Sequence, residues 1–422
     1  TNRKGRLYSS ALVVPGTTMP VYSDIFNYDS FGNRRHSSTY SWAGHYTANP
    51  TPPTAAQRPM RAFLQEKTPT GQPWSTIYYD DNGGQTYSRS TTQYDDRGLP
   101  LHTVLIRTGL PNVTLGVQTR NVAGLVTKRL SDQAGMGLAM TKIQSDWQYD
   151  TLGRITQQVV SRDAAATLVA HQKLTYWGAD DPKQLKHKIG TTAERIFDYA
   201  YDPRHQLTSA TTGAGGVFSG TYTFGAQGRF ATANITATAL TGGEVKNRNV
   251  TYEYNSGVDR EAVSALKSGG TNWATYTYYQ DGGLKTRTYP ATGETWTFLY
   301  DGDDQLKRVV KSVGASVTAK EDYLYTYDGA RTVVVKRNAS DAATEVRRFV
   351  GDQEAKFSPA GAVLETFAHV TMVTVLARVK DRTTYEHQFH GLGGSTLVAV
   401  ATSGAVNTAF TYGPYAEVVE VR

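Results

Sequence analysis

His387 and His390 stand three residues apart near the C-terminal end of this 422-residue chain. Two imidazoles can hold a metal or move protons. On an extended segment, residues three apart point to opposite faces, which suits chelation poorly, and Glu386 is the only neighbouring carboxylate. A structural role is the simpler reading. Asp301-Gly302-Asp303-Asp304 opens like a calcium loop, but its glycine is misplaced and Ser312 stands where a bidentate Glu is required. The stretch from Gly213-Ala214-Gly215-Gly216 to Gly220 has the glycine to cradle a phosphate. No helical pattern and no Lys-Ser/Thr ending follows, so a hairpin tip is predicted. There is no Gly-x-Ser-x-Gly elbow and no cysteine, which removes disulfides, thiolate zinc sites and thiol nucleophiles. No carboxylate stands out as half of a glycosidase pair. The residues predict no catalytic, cofactor or metal site.

The elements that would position any site come from a repeat. The chain holds 27 Tyr against 13 Phe, and 40 Gly, with Thr throughout. Tyr and Thr favour pleated strands and Gly favours tight turns, so the chain is predicted to be all-β. The dipeptide Tyr-Asp recurs at 28, 79, 94, 149, 201, 300 and 327, and degenerate copies begin at Arg120, Tyr176, Phe224, Tyr254 and Tyr278. From Tyr94 the series 94, 120, 149, 176, 201, 224, 254, 278, 300, 327 advances by 22 to 30 residues each time. An aromatic often precedes the anchor by two, as at Trp147, Tyr199, Tyr222, Tyr252, Tyr276 and Tyr325. That alternation places both rings on one face of a strand. Four residues after the anchor comes Gly or a polar residue, then a long polar or basic one, as in Tyr149-Asp150-Thr151-Leu152-Gly153-Arg154-Ile155. This reads as strand, turn, strand: the Asp accepts from an amide two residues on and the Gly takes the positive φ. The repeat residues are Tyr94, Asp95, Tyr149, Asp150, Gly153, Arg154, Tyr201, Asp202, Tyr300, Asp301, Tyr327 and Asp328. A lone hairpin is unstable in water, so successive units must pair sideways into one continuous sheet.

A formal charge of +7 is mild and the Lys and Arg are scattered, which argues against nucleic acid as a partner. No apolar run is long enough for a membrane-spanning helix. Residues 48–76, with Pro50, Pro52, Pro53, Pro59, Pro69 and Pro73, predict a long loop or irregular insert, because Pro interrupts a ladder.

The Tyr-Asp-x-x-Gly-Arg-Ile-Thr stretch at 149–156 and its copies resemble the YD or Rhs repeats of bacterial polymorphic toxins, Tc toxins and teneurins. The run Tyr385-Glu386-His387-Gln388-Phe389-His390-Gly391-Leu392-Gly393-Gly394-Ser395, followed by Phe410 to Val418, is similar to the start of the Rhs-associated core. Phe389 stands where that pattern has Asp, and Gly413 and Ala416 replace Asp and Gly. The resemblance implies an array of hairpins forming a spiralling sheet, part of a hollow shell or β-cocoon around a C-terminal cargo polypeptide. It implies degenerate repeats over 1–93, regular ones over 94–350, and the start of the core over 351–422, with the chain ending before any autoprotease or toxin. The partners implied are a cargo toxin segment and the rest of the shell, from the same polypeptide or a partner subunit. A surface adhesion module that binds a cell-surface glycan or protein is the alternative. Either role implies a secreted or cell-surface setting, with no enzyme activity and no cofactor.

Overall fold

A computed structural model describes residues 9–13, 20–28, 34–41, 60–68, 70–79, 87–107, 110–132, 143–162, 167–178, 180–213, 216–238, 247–254, 257–326, 328–350, 353–360, 362–371, 375–380, 384–391, 395–401, 405–412, 414 and 418–421. These residues form 33 β-strands and no helix, as the composition predicts. The pairing is antiparallel between strands adjacent in sequence. Ile143–Tyr149 pairs with Ile155–Arg162, which pairs with Thr167–Tyr176, which pairs with Pro182–Ile189. The strands divide into two compact units. One comprises residues 1–113, 277–373 and 378–385, and the other residues 114–276, 374–377 and 386–422.

The strands alternate as half-buried strands should. In Phe218–Phe224 the residues Phe218, Gly220 and Tyr222 are buried while Ser219, Thr221 and Thr223 are exposed. In the first unit Val333, Val335, Val346, Ala355 and Phe357 form a fully buried cluster. In the second unit Ile143, Val160, Val169 and Ala170 pack with Phe389, Leu397, Val398, Val400 and Ala409, so the C-terminal strands lie on the face of strands more than 200 positions upstream.

The stretch expected to be irregular at 48–76 is corrected in part. Residues 48–59 lie outside the described residues, but Met60–Lys67 and Pro73–Tyr79 are paired strands joined by a turn. Pro73 is tolerated because it is the first residue of its strand, where a missing N–H removes little of the ladder.

Candidate functional site

The repeat encodes one backbone turn. At 149–155 the Asp150 amide donates to the Arg154 carbonyl at 2.9 Å and the Gly153 amide to the Asp150 carbonyl at 3.0 Å. Gly153 has φ 80°, and the register shifts between Gln148 and Tyr149. This is a type I turn followed by a left-handed residue and a bulge, a hairpin connection whose twist matches the strands. The same pair of backbone bonds closes the turns that begin at Asp95, Asn121, Asp202, Gly225, Tyr279, Asp301, Thr326 and Asn338. His205 (φ 62°), Asp304 (φ 58°) and Asp341 (φ 71°) take the glycine's place in three of them.

The first side chain of the turn supplies an acceptor to the amides that the turn leaves over. Asp150 Oδ1 accepts from the Leu152 and Arg154 amides at 2.9 Å each. Asp95, Asp202 and Asp301 do the same for residues two and four positions on. Asn121, Thr326 and Asn338 accept from the residue four on. The amides of Leu99 and Arg97, with the Arg97 guanidinium, hold the Asp95 carboxyl below its ordinary pKa. Partial desolvation works the other way at Asp150, but Arg154 and the turn amides still hold it low. A general acid needs the opposite shift, so Asp95 and Asp150 are acceptors suited to scaffolding.

Two further kinds of contact tie turns to their neighbours. The anchor tyrosine's hydroxyl reaches the carbonyl of the residue that opens the strand after the preceding turn: Tyr149 to Val126 at 2.7 Å, Tyr176 to Ile155 at 2.7 Å, Tyr254 to Phe230 at 2.8 Å, Tyr325 to Leu306 at 3.0 Å and Tyr412 to Thr396 at 2.9 Å. Tyr94 makes the same bond to Pro73. The long side chain five residues after the anchor reaches forward. The Arg154 guanidinium lies 4.4 Å from the Tyr176 ring centre and donates to Asp180, and Arg229 lies 4.7 Å from that of Tyr254. Gln72 and Gln206 donate to the carbonyls of Gly98 and Gly228. Apart from the Asn338 turn, which closes the far end of Arg331–Asn338, these turns therefore line one rim of each unit's strand row. Behind the rim, Phe230 stacks on Tyr252 at 5.5 Å and meets Tyr222 edge-on at 6.1 Å, a cross-strand aromatic row of the kind that holds a sheet together.

Tyr94, Tyr149, Tyr201 and Tyr300 each end a strand, and their Asp partners each open a turn. Asp328 is placed differently and Tyr327 lies outside the described residues. The Thr326 amide donates to Ala330 and the Gly329 amide to Thr326, so the anchor of that repeat is Tyr325-Thr326, two residues earlier than the Tyr-Asp dipeptide. Asp328 sits inside the turn and bonds to the Thr326 hydroxyl. The Asn338 turn was not recognisable as a dipeptide. Its signal is Asn at the acceptor place with Asp341 three positions on, both tolerant of such turns.

His387 is fully buried and His390 half-buried on Thr384–His390. Burial, reinforced by the Arg129 charge, lowers the His387 pKa to about 3 and lowers that of His390. Both are neutral imidazoles. Among the described residues no three His, Asp or Glu are grouped to hold a metal.

An array of antiparallel hairpins with one recurrent turn, each turn tied to the next, defines a β-repeat scaffold. No protein-family model and no curated protein sequence matches this chain. Among solved structures, a chain of the Photorhabdus luminescens Tc holotoxin pore, carrying the TccC3-D651A mutation, matches with a TM-score of 0.57 at 13% identity. The match covers 95% of this chain and 20% of that one. Structures titled TcdB2-TccC3-TEV and TcdB2-TccC3 match at 13% and 14% identity over 95% and 96% of this chain, and 26% and 28% of those chains. Their TM-scores of 0.27 and 0.25 are too low to add to the first. The fold is thus one found in a chain of that Tc holotoxin pore. The chain spans about a fifth of the length of that toxin chain.

Proposed function

We propose that this chain is a non-enzymatic wall segment of a YD-repeat shell in a secreted bacterial toxin, and that the shell sequesters a cargo polypeptide. The observation that carries the reading is the likeness in fold to the Tc holotoxin chain over 95% of this chain. The recurring turn-to-turn ties support it, because a wall needs each repeat fastened to the next and few open strand edges. The cargo and the rest of the wall come from the same polypeptide or from a partner subunit. Confinement is the mechanism: cargo inside a closed sheet is kept from the producing cell and from proteases.

The test is cryo-electron microscopy of the intact parent particle. A hollow body with internal density is the expected result. A solid or open β-array refutes confinement for this chain.

A second reading, adhesion, has one observation in its favour. Val122, Leu152 and Trp177 are exposed on three consecutive turns of the second unit, an apolar series on a rim whose next turn carries Arg204. Glycan-array binding that disappears in Trp177→Ala is the outcome that would favour it.

A further inference from the structure

Within the second unit, Arg129 is buried at 4% exposure beneath the strand Thr384–His390. Its Nη2 donates to the Gln388 carbonyl at 3.2 Å and its guanidinium lies 4.6 Å from the Phe389 ring centre. Burial lowers its pKa to about 10, so it stays charged at neutral pH. Among the described residues no carboxylate lies within ion-pair distance of it. A desolvated guanidinium without an anion is costly, because neither water nor a counter-charge offsets what it loses.

The groups around it share one feature. Ser145 lies directly opposite Arg129 in the ladder, and its buried hydroxyl finds no protein partner. Gln158 is on the same face, diagonal to Ser145, and its amide donates to the His390 carbonyl at 3.0 Å. Arg129 Nε and His390 Nδ1 are also buried without protein partners. His387 and His390 are both within reach of the Arg129 charge and both are kept neutral. A neutral imidazole can still donate an N–H. The place therefore holds one fixed positive charge and several hydrogen-bond donors, closed off by Phe389 and the apolar cluster of Val160, Leu397 and Val398. Gln158 Oε1 is the one orphaned acceptor and lies among them.

We propose that Arg129, Ser145 and His390 form a buried binding site for a small monovalent anion, chloride under physiological conditions, beneath the strand Thr384–His390. The anion neutralises Arg129 and completes the donors at Nε, the Ser145 hydroxyl and the His390 ring. It thereby fixes the C-terminal strand on the sheet face. A monatomic ion suits a site whose groups are donors reached by close packing. The proposal holds whether or not the chain is a shell.

The experiment uses the full chain. Urea denaturation is followed in sodium chloride, sodium bromide and sodium gluconate at constant ionic strength, and a bromide-grown crystal is examined by anomalous scattering. Above half-saturation, each tenfold rise in halide should raise the folding equilibrium constant about tenfold, while gluconate gives no such rise. An anomalous peak should lie within hydrogen-bond distance of Arg129 Nε. Ser145→Ala keeps the charge and loses one donor, so its half-saturating chloride concentration should rise about tenfold. Arg129→Gln should abolish the halide response. If that variant fails to fold, Ser145→Ala decides alone. No halide dependence, a water or a carboxylate beside Arg129 Nε, or a bromide peak with no effect on stability (an adventitious ion only) each overturns the proposal.

Discussion

Gly153→Ala isolates what the repeat turn demands of its glycine. Gly153 has φ 80°, and a Cβ built there would meet only Leu125 Cδ1, at an ordinary 3.7 Å. The cost is therefore conformational. A left-handed backbone costs an L-residue roughly 1–2 kcal/mol, while replacing Gly by Ala in the unfolded chain returns about 0.4–1 kcal/mol, which leaves a net destabilisation of about 0.5–1 kcal/mol. Gly178 is the control. It sits in the next turn of the same unit with open space around its Cβ position and no positive φ. Gly178→Ala should be stabilising by about 0.4–1 kcal/mol, so the two variants should differ by roughly 1–2 kcal/mol. Equilibrium urea denaturation measures both, with unchanged m-values as the check that the surface exposed on unfolding is the same. Gly153→Asn should fall between Gly153→Ala and the parent, since Asn visits the left-handed region more readily. If Gly153→Ala is no less stable than Gly178→Ala, the left-handed residue is not what the turn requires, and the reasoning fails.

Three further outcomes follow from the structure. Phe197 is fully buried 6.3 Å from the Phe218 ring, and Phe197→Ala should cost about 3–5 kcal/mol in the same urea assay, with a value below 1 kcal/mol meaning the site collapses around the loss. The His205 ring N–H donates to the Asp181 carboxylate of the preceding turn, and that bond raises its pKa above 6.5. Its tie is therefore full below pH 6.5 and lost as pH rises through the elevated value; an NMR titration should show the shift disappear in Asp181→Asn. His387 behaves in the opposite sense. Its folded pKa of about 3 lies under the ordinary 6.5, so the unfolded chain binds the extra proton and stability should decline as pH falls from 6.5 toward 3. Glu345 adds to this. Burial would raise its pKa, but hydrogen bonds from Arg347 and Lys356 hold it at about 2, so its contribution is lost as pH falls from 4.5 toward 2. His387→Phe should flatten the upper part of that acid profile, and an unchanged profile would contradict the assignment.

The turn was legible because its chemistry is local. An acceptor after the anchor and a residue at ease with positive φ three places later are both readable as Asp150 and Gly153. The dipeptide was a poorer guide, since Asn121, Thr326 and Asn338 solve the acceptor problem equally well. That is why Tyr327-Asp328 misplaced one repeat by two residues. The basic or amide residue five places after the anchor was visible as a pattern, but its purpose was not: Arg154 acts on Tyr176, a repeat away. The contact of Arg129 with the Gln388 backbone spans 259 positions and joins segments that differ in pattern, so no periodicity points to it.

The tyrosine ties also bear on how such a strip would fail under load. Ladder bonds pulled sideways, across the strands, open one at a time from an edge like a zip. The hydroxyls of Tyr149, Tyr176 and Tyr254 each add a bond outside the ladder at the rim, where peeling would begin, and fasten a strand to the repeat before it. A crack entering at that rim must break this rivet before it reaches the first ladder rung. Repeats such as Arg120-Asn121, which have no ring to donate, are the weak seams along the riveted side.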